Sequence, residues 1–82
     1  MRQEIKLPSL GDEKDAVQGG TVTFWLAEKD TWIDEDEDLL ELTTDKAAFV
    51  VPSPLSGHLV ERCVGEGDEV TVGETLCVME TL

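Results

Sequence analysis

Basic residues are scarce in this chain. Six lysines and arginines face nineteen aspartates and glutamates, for a formal charge of −13. Such a surface repels phosphate backbones and anionic lipid, so nucleic acid and membrane are not expected partners, and partners with basic patches are favoured. Histidine occurs once, at His58. It has no second histidine and no base–nucleophile pair beside it, so it reads as a strand-start residue rather than a catalytic group. Cysteine occurs twice, and both Cys63 and Cys77 lie in apolar runs, which predicts buried free thiols. No Cys-x-x-Cys spacing exists, so neither zinc nor dithiol chemistry is indicated and no metal site is expected. No apolar stretch approaches ~20 residues and no signal-peptide pattern opens the chain. The expected setting is therefore cytoplasmic, or the mitochondrial matrix for a processed eukaryotic chain. At 82 residues the chain makes one small domain. A domain of this size buries little more than ~60% of its unfolded surface, enough for one thin core and no deep catalytic cleft. That points to a binding or carrier module.

What is present is a series of short apolar runs separated by Gly, Asp, Ser and Pro. Strands are expected near 3–7, 20–27, 31–33, 38–43, 47–51, 57–64, 69–71 and 75–80. No window sustains a helical period over eleven residues. The fold class is all-β. A repeat appears at a spacing of 37 positions, where Gly20 aligns with Gly57, Leu39 with Leu76, Glu37 with Glu74 and Thr44 with Thr81. In the same register Val22, Leu26, Ala27, Ile33, Leu40 and Leu42 meet Leu59, Cys63, Val64, Val70, Cys77 and Met79. Two similar halves predict a pseudo-twofold flattened β-sandwich or barrel of two roughly four-stranded antiparallel sheets. On this alignment the partner of Lys46 falls just past Leu82. The lysine turn and the chain ends are thus expected at opposite poles.

Lys46 sits in Thr43-Thr44-Asp45-Lys46-Ala47-Ala48, a short polar break between two strand-like runs. The spacing suits a tight hairpin. Asp45 suits its turn, because a short carboxylate can bond nearby amides. A nucleophilic lysine is made reactive by desolvation or by neighbouring cations. Asp45 and the acidic surface act the other way, so no catalytic residue is expected. A long side chain on a protruding hairpin is either an ordinary solvated lysine or an attachment point activated by an external ligase.

The block Leu42 to Gly57, LTTDKAAFVVPSPLSG, closely resembles the lipoyl-lysine hairpin of lipoyl domains in the dihydrolipoyl acyltransferases of 2-oxo acid dehydrogenase complexes. Asp45, Lys46 and Ala47 match the hairpin tip, and Pro52, Ser53, Pro54 and Gly57 match the segment after its second strand. Ile5-Lys6-Leu7-Pro8-Ser9-Leu10-Gly11, Gly20 with Trp25-Leu26, and Glu66-Gly67-Asp68 extend the likeness over nearly the whole chain. The resemblance implies that residues 1–82 form one lipoyl-type carrier domain, the N-terminal part of a larger acyltransferase and monomeric in isolation. It implies lipoate amide-linked to Lys46, with Asp45 and Ala47 as flanks read by a lipoate ligase or lipoyl transferase. It also implies three further partners: a thiamine-diphosphate decarboxylase that acylates the dithiolane, an acyltransferase core that passes the group to coenzyme A, and a flavin dihydrolipoyl dehydrogenase that reoxidises the arm.

Several features depart from that pattern or compete with it. Asp30 and Asp36 stand where the second half has Gly67 and Gly73. If those turns need positive φ, aspartate adopts it at some cost. The segment Asp12 to Gly19 is a few residues longer than is usual for a surface loop that lies near the lipoyl hairpin in this family and helps partner recognition. The run Asp34-Glu35-Asp36-Glu37-Asp38 alternates like a calcium loop, but Leu39 replaces the needed glycine and Asp45 the final glutamate, so it reads as a solvated turn. Trp25 and Trp32 are expected to pack at core margins. Phe24-Trp25-Leu26 breaks strict alternation and suggests a β-bulge. Among alternatives, biotin carriers typically flank their lysine with methionines, and the glycine cleavage H protein is longer. An unmodified acidic sandwich used as an interaction module is the reading from another class.

Overall fold

The computed structural model describes residues 1–9 and 18–82. Eight strands occur in chain order: β1 (Arg2–Lys6), β2 (Gly19–Trp25), β3 (Trp32–Ile33), β4 (Asp38–Thr43), β5 (Ala48–Pro52), β6 (Gly57–Arg62), β7 (Glu69–Thr71) and β8 (Thr75–Glu80). They form two four-stranded sheets, ordered β1-β8-β6-β3 and β5-β4-β2-β7, with every pairing antiparallel. Exchanging β1 to β4 for β5 to β8 turns one sheet order into the other, so the pseudo-twofold sandwich expected from the repeat is present. Extents of 37 × 24 × 18 Å make it a flattened body. The longer segment read at Asp12 to Gly19 falls mostly within residues 10–17, which lie outside the described residues.

The symmetry extends to single hydrogen bonds. Asp30 N–H donates to Leu59 O at 2.7 Å, and Gly67 N–H to Val22 O at 2.8 Å. Asp36 N–H donates to Ser53 O at 2.8 Å, and Gly73 N–H to Leu7 O at 2.9 Å. These four residues have positive φ: 67° and 71° at the aspartates, 91° and 92° at the glycines. The turns of the first half therefore use the left-handed conformation that the second half reaches with glycine. Aspartate is among the residues that tolerate it best.

Two apolar clusters fill the space between the sheets. One holds Leu7, Val22, Leu40, Leu42, Val51, Val70 and Leu76. The other holds Ile5, Ala27, Ile33, Leu39, Leu59, Cys77 and Met79. Neighbours Leu39 and Leu40 enter different clusters, as do Leu76 and Cys77. Register shifts at Leu39 and opposite Leu76 turn consecutive side chains into the interior, so each long strand links both clusters. Where the first cluster has Leu7, the equivalent position in the second is Ser53. Its buried hydroxyl donates to Leu55 O at 2.6 Å, which satisfies it without water. Trp25 packs on both clusters, as expected. Its indole N–H donates to Val64 O at 2.9 Å, and Arg62 lies 5.1 Å from the ring centroid.

Four sequence expectations need correction. The bulge in β2 lies between Val22 and Phe24, a residue or two earlier than Phe24-Trp25-Leu26, and β6 repeats it between Leu59 and Glu61. These strands end at Trp25 and Arg62 rather than at 27 and 64. Trp32 is exposed, with its indole N–H donated to Asp34 Oδ1 at 3.0 Å; the two-residue strand β3 is too short to fold over it. Cys63 is exposed too, while Cys77 is buried. The reason is the symmetry: Cys63 is equivalent to exposed Leu26, and their amides bond Leu76 O and Leu39 O as the chain leaves the sheet.

Burial pushes the Cys77 thiol up to about 12, helped by neighbouring Cys63. Cys63 is raised as well, by partial desolvation first and then by Glu61 and Glu4. In the native protein Cys63 should react with an alkylating agent and Cys77 only after unfolding. The raised value also sets a pH dependence. Below about pH 9 both folded and unfolded thiols keep their protons. Above it the unfolded thiol ionises first, so stability should fall by up to about 1.4 kcal/mol per pH unit until about pH 12. Denaturation curves from pH 8 to 11 check this, because the loss attributable to the thiol must disappear in Cys77→Ala.

Candidate functional site

Lys46 sits where β4 turns into β5. The strands pair as Leu40↔Val51, Glu41↔Val50, Leu42↔Phe49 and Thr43↔Ala48, which leaves Thr44 to Ala47 as the turn. Buried Leu40, Leu42 and Val51 anchor this ladder in the first cluster. Asp45, Lys46 and Ala47 are all exposed. The sequence expectation of a lysine at the tip of a tight hairpin is met.

The turn is closed by a residue that the sequence does not single out. Asp45 is the expected partner for nearby amides, yet among the described residues that role belongs to Thr44. Its Oγ1 accepts from Lys46 N–H at 3.1 Å and from Ala47 N–H at 3.0 Å, and it donates to Ala47 O at 2.8 Å. Thr44 N–H donates to the same carbonyl at 2.9 Å. A hydroxyl both donates and accepts, whereas an ionised carboxylate only accepts, which is why threonine can bind both strands of the turn. A signal for it exists: Ser and Thr make such side-chain turns two to three residues ahead of the amides they cap.

The base of the hairpin is held by β2. Thr21 pairs with Thr43, and the hydroxyls of Thr23 and Thr43 are 2.5 Å apart. A side chain at Gly20 would bring its Cβ to 2.8 Å from Thr43 O and 3.0 Å from Thr44 Cγ2. Gly57 is in the same position toward Glu80 O, also at 2.8 Å. The shared glycine of the repeat thus reflects close backbone approach rather than turn geometry. A shallow groove of about 370 Å³ lies beside the turn, lined in part by Gly19, Gly20, Thr43, Thr44 and Asp45.

Strand pairing places the lysine relative to the chain ends. Pro52 at the end of β5 lies beside Asp38 at the start of β4. The short 53–56 crossover then leads to Gly57, against Glu80. The Asp38 end of one sheet therefore shares a pole with the Glu80 end of the other, where Met1 and Thr81 meet. Lys46 occupies the opposite pole. At the Met1 pole Thr81 repeats the Thr44 pattern: its N–H and Oγ1 both donate to Met1 O, at 2.8 and 3.2 Å.

The remaining sequence candidates do not converge on the hairpin. His58 is the exposed second residue of β6, paired across strands with Trp32 and Glu80. The acidic run 34–38 is the turn into β4, closed by Glu37 N–H to Asp34 O at 3.0 Å and by Glu35 N–H to Ser56 Oγ at 2.8 Å. Among the described residues no group of three or more His, Cys, Asp or Glu is placed to hold a metal ion.

Residues 3–79 match the biotin–lipoyl family, described as "Biotin-requiring enzyme". The chain is 35% identical over 80 residues to the dihydrolipoyllysine-residue acetyltransferase component of the pyruvate dehydrogenase complex of Bacillus subtilis (strain 168), covering 98% of this chain and 17% of that protein. It is 40% identical over 80 residues to the dihydrolipoyllysine-residue succinyltransferase component of the 2-oxoglutarate dehydrogenase complex of Bartonella vinsonii subsp. berkhoffii, covering 98% and 19%. The chain spans less than a fifth of the length of these relatives. Among solved structures it is similar to the lipoyl domain of the 2-oxoglutarate dehydrogenase complex from Azotobacter vinelandii, with a TM-score of 0.69, 28% identity and 95% of each chain covered. Eight antiparallel strands in two matched sheets, and these relatives, lead to one assignment: the chain belongs to the biotin–lipoyl family and has the fold of a lipoyl domain.

Proposed function

We propose that this chain is a lipoyl carrier domain of a 2-oxo acid dehydrogenase acyltransferase, with lipoate amide-linked to Lys46. The observation that carries the reading is an exposed lysine, flanked by Asp45 and Ala47, at the tip of a clasped hairpin on one pole of the sandwich. The residues present suit the group. A primary amine at the end of a long side chain is the nucleophile an amide needs. The flanks are not the methionines typical of biotin carriers.

Lipoate, when bound, supplies a dithiolane that takes up an acyl group together with two electrons and yields both at other sites. The chain's own contribution is presentation. The β4–β5 ladder holds the attachment point rigid, and the side chain of Lys46 gives reach. Tethering to a larger acyltransferase, of which we take residues 1–82 to be one domain, would replace bimolecular encounters with local ones. The proposed partners are a lipoate ligase or lipoyl transferase, a thiamine-diphosphate decarboxylase, the acyltransferase core and a flavin dihydrolipoyl dehydrogenase. The relatives' membership of pyruvate and 2-oxoglutarate dehydrogenase complexes supports that set. Acylation would remove one positive charge from a surface already at −13.

The test is intact mass after incubation with lipoate, ATP and a lipoate ligase, and in parallel with biotin and a biotin ligase. One lipoyl group on the wild type and none on Lys46→Ala is the expected result. Addition of biotin alone, or lipoylation that persists in Lys46→Ala, would overturn the assignment.

A further inference from the structure

We propose that Thr44 is a positioning residue for the modification of Lys46, holding the lysine in the direction from which an acylating enzyme takes it. The proposal rests on the carrier reading above. Its basis is a hydroxyl whose whole hydrogen-bonding capacity is spent inside one turn. A threonine side chain offers one donor and two acceptor sites. Here the donor goes to Ala47 O at 2.8 Å, and the acceptors take the amides of Lys46 at 3.1 Å and Ala47 at 3.0 Å.

The consequence for Lys46 is specific. In a common β-turn the carbonyl of the first residue receives the amide of the fourth. Here the first residue's side chain receives that amide, and the amide of Lys46 as well. The backbone of the modified residue is therefore tied directly to Thr44, which is in turn carried by the β4 ladder through Thr43. Without the hydroxyl, both amides are at an exposed tip where water can satisfy them, so the fold need not suffer. What is lost is the fixed direction of the lysine. Acylation forms a bond from Lys46 Nζ to the carbonyl carbon of an acyl adenylate made from lipoate and ATP, with AMP leaving and Nζ giving up a proton. Such a step depends on near-attack alignment, and misplacement by about 1 Å can cost ~100-fold.

Thr81 provides an internal control. It makes the same pair of bonds to Met1 O that Thr44 makes to Ala47 O, at the opposite pole from Lys46. A role limited to holding the fold predicts that lipoylation of folded protein is unchanged by substitution at either site.

The experiment measures kcat/KM for ligase-catalysed lipoylation of the wild type, Thr44→Val, Thr44→Ser and Thr81→Val. Hydrogen exchange of the Lys46 and Ala47 amides is followed alongside. Thr44→Val should lower kcat/KM by between ~10-fold and ~100-fold and speed exchange at both amides, at a melting temperature close to that of Thr81→Val. Thr44→Ser should recover most of the rate, because serine keeps the hydroxyl, and Thr81→Val should react like the wild type. A wild type that is lipoylated no faster than Thr44→Val overturns the positioning role and leaves the carrier reading standing. So does a Thr44→Ser that fails to recover, or a Thr81→Val that falls as far. A wild type that accepts no lipoate overturns the carrier reading, and with it the reaction Thr44 would serve.

Discussion

Replacing Leu42 with alanine should destabilise the domain by about 3–4 kcal/mol, among the largest effects of any single change. Leu42 is fully buried in the first cluster, with Val22, Leu40, Val51 and Val70 as cluster-mates. Its truncation loses both the transfer free energy of the removed methyl groups and the contacts of a partly unfilled space. Few side chains in two thin sheets can move to fill that space. A domain of this length has about 4–12 kcal/mol of total stability, so the change removes a large fraction of it. The melting temperature should fall by roughly 15 °C or more. Chemical denaturation with an unchanged m-value checks the number, and a loss below about 1 kcal/mol would show that the two clusters are looser than their burial indicates. The effect reaches the site as well, because Leu42 pairs with Phe49 only two residues from Thr44.

Gly20→Ala and Gly57→Ala form the second pair of predictions. Each new Cβ would stand 2.8 Å from a carbonyl oxygen of the neighbouring strand, Thr43 O for one and Glu80 O for the other. The obstacle is backbone in both cases, so the strand must shift, at a cost of about 1–3 kcal/mol each. Because the two sites are symmetry mates, their stability losses should be similar. Their functional losses should differ. Gly20→Ala displaces the base of the lysine hairpin, whereas Gly57→Ala displaces the pole where Met1 and Thr81 meet. Lipoylation rates measured on folded protein should fall for Gly20→Ala and hold near wild type for Gly57→Ala. Equal rates in both would mean that the hairpin tip is insulated from its base.

Most of the architecture was legible in the sequence because valine, leucine and threonine runs alternate between glycines and acidic turns. The spacing of 37 positions was legible for the same reason, and the positive φ at Asp30 and Asp36 could be anticipated from Gly67 and Gly73. What escaped was anything that depends on how two strands approach in space. Cys63 lies in an apolar run, and only its equivalence to exposed Leu26 explains why it is outside. Trp32 was expected to pack at a core margin, but a two-residue strand gives it nothing to pack beneath. At the site, Lys46 and its flanks could be read directly. The side-chain turn signal of Thr44 applied equally to its neighbour Thr43, so the sequence did not choose between them until the direction of each side chain was known.

The contact between Met1 and Thr81 has a wider meaning. Two of the bonds that join Thr44 to Ala47 across the lysine turn, from the threonine N–H and hydroxyl to the facing carbonyl, recur between Thr81 and Met1. Topologically the molecule is a ring of eight strands interrupted at one of two equivalent corners. The sandwich thus has two like poles that differ in connectivity: one corner is covalently unbroken and bears Lys46, and its twin is closed by hydrogen bonds between Thr81 and Met1.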